Sequence, residues 1–216
     1  MLGLRVLVPI ACFRKGLARE YLETEPIPPP ATCYGFLLAL VGETKRHRHI
    51  GCRVMPVLVN KPRQSVVLRT VWRVKKTPLG SPGNTRPDYQ QLLSPVELVI
   101  WLESSKEADG SSTLESRVRL AIQEPSSIVR FGGLSLGEST HLVDEVDVLS
   151  SRFAPDYRDK SGQAFVVAER GRLTLPVWVD HVGSAGTRFA TGNLVARPIF
   201  QEPTIEEMPQ INPGDI

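Results

Sequence analysis

The chain has 216 residues, 41% hydrophobic and 23% charged, with a net charge of +3, and is long enough to bury the core of one large domain or of a domain with a small extension. No stretch approaches the roughly 20 apolar residues of a membrane-spanning helix, and Arg5 interrupts the apolar N-terminal run that a secretory signal would keep unbroken. The three cysteines have neither the number nor the spacing of a disulfide framework or zinc knuckle, so we expect a cytoplasmic protein without metal or cofactor.

The positive charges are concentrated in one segment. Between Thr44 and Pro87 the chain has eleven Lys or Arg residues and no Asp or Glu. These residues are Lys45, Arg46, Arg48, Arg53, Lys61, Arg63, Arg69, Arg73, Lys75, Lys76 and Arg86. Such a stretch is typical of a surface that binds a polyanion, although a solvated basic face without a partner has the same composition. The charge pattern therefore favours a nucleic-acid partner and leaves the solvated face as its alternative.

The first predicted elements are a strand and a buried helix. Residues 3–13 form an apolar run with β-branched side chains, which is typical of a central strand. Prolines at 28–30 hold the chain extended, and the apolar residues from 31 to 41 then predict a helix that is buried on most faces. Thr32 or a neighbour is the expected N-cap, and Gly42 suits the C-terminal end.

A period-two pattern begins near residue 50 and predicts strands. Residues 52–60 and 65–76 form two successive strands, and 96–103 form a third that is expected to pair with the second. The segment between them, about 76–95, is rich in Pro and Gly and too long for a simple turn. We expect it to form a basic β-hairpin thumb or a flexible loop.

The second helix and the strands after it complete a recognisable order. Ser112 and Glu115 have the spacing of a capping box, and apolar residues on one side predict a helix that ends at Pro125. A glycine-punctuated strand and loop follow. The order strand, helix, strand, strand, helix, strand predicts an α+β, ferredoxin-like (RRM-like) βαββαβ domain over residues 1–150. We further predict a small β extension over 151–202 and an acidic, Pro-rich tail or strap over 203–216.

Two motifs resemble those of a known family. Residues 23–43, ETEPIPPPATCYGFLLALVGE, resemble the first-helix motif of CRISPR-associated family five, and the preceding strand that ends in Phe13-Arg14 is similar to the family's start. The glycine loop at 130–139, RFGGLSLGES, resembles the family's glycine-rich loop after the second helix. The resemblance covers most of residues 1–150 and adds little beyond them.

The resemblance implies a fold and a function. Members are RAMP-superfamily subunits of type I Cascade complexes, with a ferredoxin-like domain and a protruding hairpin thumb. A member is expected to bind and cap the 5′ handle of the guide RNA (crRNA) without cutting it. The implied partners are the crRNA 5′ handle, the Cascade backbone subunit, the large subunit and target DNA in the assembled complex, with no membrane. The small size and short glycine loop resemble those of type I-B-like systems or related, transposon-recruited ones.

A single-stranded handle can be stacked and clamped, so its recognition needs cations, bare backbone amides and rings. The predicted RNA-binding residues are Arg14, Lys15, Arg19, Tyr34, Lys45, Arg46, His47, Arg48, Arg73, Lys75, Lys76, Arg86, Arg130, Gly132, Gly133, Ser135, Gly137 and Ser139. Tyr34 is also placed to fill the core. Trp72 and Trp101 lie on predicted strands and are expected in the core.

Two alternatives remain open. One branch of the family trims guide precursors by metal-independent cleavage, which needs a base for the 2′-hydroxyl and an acid for the leaving oxygen. Candidates for these roles are Tyr34, Lys45, His47, His49 and His141. The adjacent lysine–histidine pair associated with that branch is absent from the chain, so we expect no catalytic residues. The second alternative is a generic RRM-like module, which requires an aromatic-rich strand that the sequence does not contain.

Overall fold

Strands account for most of the regular structure. The computed structural model describes residues 1–16, 18, 21–72, 80–107, 112–182 and 184–214. The strands, in chain order, are β1 (Leu2–Val8), β2 (Tyr21–Leu22), β3 (Arg53–Leu58), β4 (Arg63–Trp72), β5 (Thr85–Ser94), β6 (Val96–Glu103), β7 (Glu145–Val148), β8 (Ser161–Val167), β9 (Leu173–Trp178) and β10 (Arg188–Pro198). The helices are α1 (Pro30–Leu40), α2 (Leu114–Gln123) and the single-turn α3 (Ala154–Tyr157).

The strands form two sheets. The main sheet has seven strands in the order β7-β1-β6-β3-β8-β10-β9, and each neighbouring pair is antiparallel. The smaller sheet has the order β2-β5-β4, and β4 and β5 pair as an antiparallel hairpin from Arg63 opposite Ser94 to Trp72 opposite Thr85. The fold is therefore a mixed α and β structure around a large antiparallel sheet.

Prolines mark the beginning of helix α1, and a glycine marks its end. Its N-cap is Pro29, and the expected cap, Thr32, lies inside the first turn. The first helical N–H groups have no acceptor within the helix, so Pro30 loses no hydrogen bond there. Gly42 follows the helix with φ +66°, and a Cβ at that position would lie 2.2 Å from the carbonyl oxygen of Val129. Glycine is thus required at this end by both backbone conformation and close approach.

Helix α2 is capped one residue later than expected. The side chain of Thr113 accepts a hydrogen bond from the Ser116 amide at 3.2 Å, so the predicted capping box of Ser112 and Glu115 is wrong. Three adjacent hydroxyl residues compete for this role, and the helix begins where the first buried side chain reaches the core. The buried side chains of α2 are Leu114, Val118 and Ala121, which confirms the predicted apolar stripe.

The predicted pairing of the strand at 96–103 with that at 65–76 is wrong. Strand β6 is buried on both faces and pairs with β1 and β3, while β4 is exposed along most of its length and pairs with β5. A strand that is apolar on both faces, such as β6, lies in the centre of a sheet. If β4 lay beside it, the polar side chains of β4 would be buried as well. The hairpin thus begins at Arg63, and residues 73–79 lie outside the described residues.

One face of this hairpin is apolar and open. Val66, Leu68 and Trp72 alternate along β4, so they share a face, and Tyr89 lies opposite Leu68 on β5. All four side chains are exposed, Trp72 at 64%. The prediction of a core position is therefore wrong for Trp72, because β4 leaves the body of the protein, and it is confirmed for Trp101, which is 4% exposed.

Both faces of the main sheet are covered. Alternate residues of β1 and β6 face α1 and α2 in the larger core, while Met55, Val57 and Trp101 face the other way. That second face packs against Tyr157 and Met208, from the segments that follow β7 and β10. Strand β8 joins the sheet beside β3, so the three C-terminal strands continue the same sheet, while the domain boundaries near residue 150 stay predictions.

The C-terminal segment is an extended strap over its described part, residues 203–214. The Ile211 amide donates to the Cys52 carbonyl at 2.9 Å, and the Val54 amide donates to the Pro209 carbonyl at 3.1 Å. Met208 and Ile211 are fully buried. Of the two expectations for this segment, tail or strap, the structure has the strap, because its apolar residues complete the two cores.

Shortening one buried side chain of the strap tests this packing. We expect Ile211→Ala to lower the free energy of unfolding by about 2–4 kcal/mol, since it removes a fully buried side chain. Urea unfolding followed by circular dichroism measures the change. Val182→Ala, at a fully exposed side chain, is the control and should shift stability by no more than about 0.5 kcal/mol. Equal effects of the two substitutions would mean that the strap is detached in solution.

Candidate nucleic-acid interface

A cleft of about 430 Å³ opens beside the first helix. It lies between α1, the glycine loop (residues 130–139) and the residues around the end of β9. We call it the α1 cleft. Its lining is Ala31, Thr32, Tyr34, Gly35, Phe36, Leu38, Ala39, Glu43, Arg46, Ser135, Gly137, Val177, Trp178, Val179 and His181. Residues separated by more than 100 positions thus meet at one surface.

The basic loop, residues 45–48, presents a fixed cation to this cleft. The Arg46 guanidinium lies 4.4 Å from the centroid of the Trp178 ring and donates to the Val179 carbonyl at 2.7 Å. The Arg46 carbonyl in turn accepts a hydrogen bond from the Tyr34 hydroxyl at 2.6 Å. His47 packs edge-on against Trp178 at 4.9 Å. Because no carboxylate in the described part of the chain pairs with Arg46, its charge is available to an anion.

A buried ion network anchors both ends of the basic loop. Glu43 accepts from Arg117 at 2.6 Å and from Arg48 at 3.0 Å. Arg117 also approaches Nε2 of His49 at 2.8 Å, and Nδ1 of His49 lies 2.6 Å from Glu107. A guanidinium only donates, so Nε2 must accept and the His49 proton sits on Nδ1, facing Glu107. His49 is therefore a neutral, fully used structural residue that is 1% exposed.

The same network perturbs the Glu43 carboxyl. Burial alone would raise its pKa, but the Lys45 amide and the guanidiniums of Arg117 and Arg48 outweigh burial and lower the pKa to about 2. Glu43 therefore stays ionised across the physiological range. Its charge holds the C-terminal end of α1 against α2.

The glycine loop is shaped by a buried histidine. Nδ1 of His141 accepts from the amides of Cys12 at 3.2 Å and Glu138 at 3.1 Å, so this nitrogen carries no proton. Burial lowers the pKa of His141, which keeps it neutral. Gly137 has φ +104°, and a Cβ there would lie 2.7 Å from the Cys12 carbonyl oxygen. The loop thus lies against the residues that follow β1.

The glycine loop also holds the hairpin and α1 together. Glu138 accepts from Arg69 of β4 at 3.0 Å and from Gln90 of β5 at 2.9 Å, and Arg69 donates to Gln90 as well. On its other side, Arg130 donates to the Leu40 carbonyl at 3.4 Å. The glycine loop therefore links the hairpin to helix α1.

The predicted RNA-binding residues fall into four groups, the last of which is described in the next paragraph. Those that line the α1 cleft are Tyr34, Arg46, Ser135 and Gly137. Those that adjoin it in the basic loop or the glycine loop are Lys45, His47, Arg48, Arg130, Gly132, Gly133 and Ser139. Those whose placement lies outside the described residues are Arg19, Arg73, Lys75 and Lys76.

Three further predicted residues do not line the cleft. Arg14 is exposed and donates to the Ala18 carbonyl at 2.7 Å, and Lys15 lies 3.5 Å from a Glu23 oxygen. Arg86, in the hairpin itself, donates to Asp88, two residues further along β5, at 2.9 Å.

Tyr34 fills the core, which is one of the two roles that the sequence suggests for it, and Trp178 has a role that the sequence does not suggest. Tyr34 is 3% exposed and its hydroxyl is hydrogen-bonded, so its ring is packed rather than open to a base, and burial raises its pKa. Trp178, which the sequence reasoning missed, is the ring that supports Arg46. The strand pattern around it gives no signal of this role, because its partner is 132 residues away in the chain.

Two features of other protein classes are absent from the described residues. No group of three or more His, Cys, Asp or Glu within them is arranged to hold a metal ion. None of the helices among these residues has both the length and the apolar character needed to cross a bilayer.

Comparison with known proteins gives a consistent set of relatives. The chain is 50% identical over 214 residues to CRISPR-associated protein Cas5 of Myxococcus xanthus (strain DK1622), across 98% of this chain and 97% of that protein. Its fold is similar to a chain of a CRISPR RNA-guided surveillance complex, with a TM-score of 0.61 and 12% identity over 90% of this chain and 89% of that one. It is also similar to a Cas protein crystal structure, with a TM-score of 0.50 and 16% identity over 92% and 94% of the two chains. No protein-family model matches the chain.

The ion network makes the free energy of unfolding depend on pH. Because the folded-state pKa of Glu43 is depressed from 4.5 to about 2, its stabilisation is present above pH 4.5 and is lost as the pH falls towards 2. We expect Glu43→Gln to lower the free energy of unfolding by about 3 kcal/mol at pH 7. The difference from wild type should shrink steadily between pH 4.5 and pH 2.

Urea unfolding at pH 7, 4.5 and 3 measures this difference. Glu169→Gln, at an exposed position in the turn after β8, is the matched control. A Glu43→Gln difference that did not change with pH would refute the role of the ionised carboxylate.

Proposed function

The chain belongs to the Cas5 family of CRISPR-associated proteins, and on that premise we propose that it is a non-catalytic subunit of a type I Cascade complex that binds and caps the 5′ handle of the guide RNA. A relative that is 50% identical over nearly the whole length supports the family role, and a neighbour in fold is part of a CRISPR RNA-guided surveillance complex. The observation that carries the proposal is the α1 cleft, where the first-helix motif, the basic loop and the glycine loop meet.

The chemistry around the cleft suits single-stranded RNA. Arg46 and the exposed Lys45 have no carboxylate partner among the described residues, so phosphates are their natural counter-ions. Gly132 and Gly133 are exposed and carry no side chain over the backbone, so a phosphate can approach their amides. These contacts read the backbone of the RNA and fix its path.

We extend the proposal to the ferredoxin-like form of the N-terminal unit. Its elements follow the chain order β1, α1, β3, β6, α2, β7, with the hairpin inserted between β3 and β6. The matching part of the main sheet has the order β7-β1-β6-β3, with α1 and α2 in the core on one face. This order supports the split βαβ arrangement.

The non-catalytic part of the proposal rests on how the nuclease candidates are used. His49 and His141 are buried and accept or donate hydrogen bonds within the fold, and the Tyr34 hydroxyl is bound to a carbonyl. None of the three is placed to take a proton from a 2′-hydroxyl. Lys45 and His47 remain, two residues apart in the basic loop, and the test below therefore measures cleavage as well as binding.

Partners follow from the same role. In the assembled complex we propose contacts with the crRNA 5′ handle, the backbone subunit, the large subunit and target DNA. A type I-B-like or transposon-recruited system and a cytoplasmic location stay predictions.

The test is incubation of the purified chain with labelled guide precursor in EDTA, followed by gel analysis and filter binding. We expect intact RNA that is retained by the protein and is released when the handle sequence is changed. Lys45→Ala should weaken binding several-fold and lower the slope of log affinity against log salt by about 0.7, as for one lost phosphate contact to a single strand.

Arg158→Ala is the control, since this exposed residue follows α3 on the other face of the main sheet. Cleavage of the precursor by the wild type, abolished in His47→Ala, would replace the proposal with a metal-independent ribonuclease. An equal loss of binding in Lys45→Ala and Arg158→Ala would show that the attraction is not localised to the basic loop.

A further inference from the structure

The Arg46 guanidinium is held as a rigid plane at the edge of the α1 cleft. Trp178 lies 4.4 Å beneath it, and the Val179 carbonyl fixes one of its nitrogens at 2.7 Å. The Tyr34 hydroxyl fixes the backbone carbonyl of the same residue. An arginine restrained in this way loses little conformational freedom when a second flat group stacks on it.

The floor of the cleft is a bare stretch of helix. Ala31, Gly35 and Ala39 recur at every fourth residue of α1, so they share one face of the helix and have the smallest side chains. A Cβ placed on Gly35 meets no atom within 4 Å. The volume of about 430 Å³ falls in the range of roughly 300–1,000 Å³ for small-ligand sites, which suits a unit the size of one nucleotide.

Several polar groups on the wall of the cleft are unused. The hydroxyls of Thr32 and Ser135 and the ring of His181 line it, and their side chains make no hydrogen bond within the described residues. Hydroxyl and imidazole groups suit the oxygens of a sugar-phosphate and the edge of a base. The cleft thus combines a flat cation for stacking, an open helix surface and polar groups without a partner among the described residues. These are the features that a nucleotide-binding pocket needs.

We infer that the α1 cleft receives a single nucleotide of the bound RNA, with its base stacked on the Arg46 guanidinium and Trp178 acting as a positioning residue behind it. This inference rests on the proposed function and adds that one position of the handle is held by its base rather than by its phosphate alone. Thr32, Ser135 and His181 contact the sugar-phosphate and base edge of that nucleotide.

The first experiment scans a single-stranded handle oligonucleotide with 2-aminopurine at one position at a time. We expect a strong rise in fluorescence at one position on binding to wild type, because that base leaves the stack of its neighbours and a guanidinium does not quench it. Arg46→Lys keeps the charge and removes the flat guanidinium, so that rise should disappear and affinity should fall about tenfold. Trp178→Phe keeps an aromatic ring behind Arg46 but supports it less well, and should give an intermediate rise.

The second experiment fills the cleft with a larger side chain on its floor and leaves the residues of its wall unchanged. Gly35→Leu fills the open space over α1 and replaces glycine with a better helix former, so the melting temperature should be kept or raised. The fluorescence rise at the single position should nevertheless be lost. Gln123→Leu, at an exposed site in α2, is the matched control and should leave that rise unchanged.

The outcomes separate the inference from the function on which it rests. If wild type fails to bind the handle oligonucleotide, the proposed function fails. If wild type binds but Gly35→Leu keeps the position-specific rise in fluorescence, or the fluorescence changes equally along the strand, the single-nucleotide pocket is refuted while the function stands. Adenosine monophosphate tests the source of the ligand, since competition at concentrations equal to those of the oligonucleotide would indicate a free nucleotide site.

Discussion

The buried carboxylate of Glu43 and the two guanidiniums that bind it fix the position of the basic loop beside the α1 cleft. Glu43 lies just after α1, Arg117 comes from α2, and Arg48 belongs to the basic loop, so one ion network joins three segments. Removing one partner of such a network leaves a buried charge uncompensated, which costs about 3–5 kcal/mol. His49 and Glu107 extend the network to the loop before α2. Arg46, between these anchors, is thereby brought over Trp178 instead of pointing into solvent.

The covered sheet distinguishes this fold from an RNA-recognition module that stacks bases on its open strands. On the face away from α1, Met55 and Val57 pack beneath α3 and the strap, so no base can reach the sheet there. In the proposed function the RNA therefore lies on the helix side, at the cleft, the glycine loop and the hairpin. The stacking partner in that proposal comes from a loop, and the cation of Arg46 backed by Trp178 takes the place of a strand aromatic.

Local patterns predicted the elements well and their partners poorly. The helix expected over 31–41 is α1, and the stripe of Leu114 and Val118 is confirmed, because burial on one face leaves a periodic signal in the sequence. Periodicity does not say which strand lies beside which. The sequence pattern therefore predicts β6 beside β4, whereas β6 lies between β1 and β3. The meeting of Arg46 with Trp178 depends on the position of β9 at the sheet edge, for which a single sequence contains no local signal.

The apolar face of the hairpin has a consequence for how the chain behaves before assembly. Strand β4 is an edge strand with exposed Val66, Leu68 and Trp72, and edge strands of this kind are templates for pairing with another chain. A chain whose hairpin is uncovered therefore carries its own tendency to aggregate, which ends when another surface covers β4. In any assembly that covers the hairpin, the solubility of the chain thus depends on that cover.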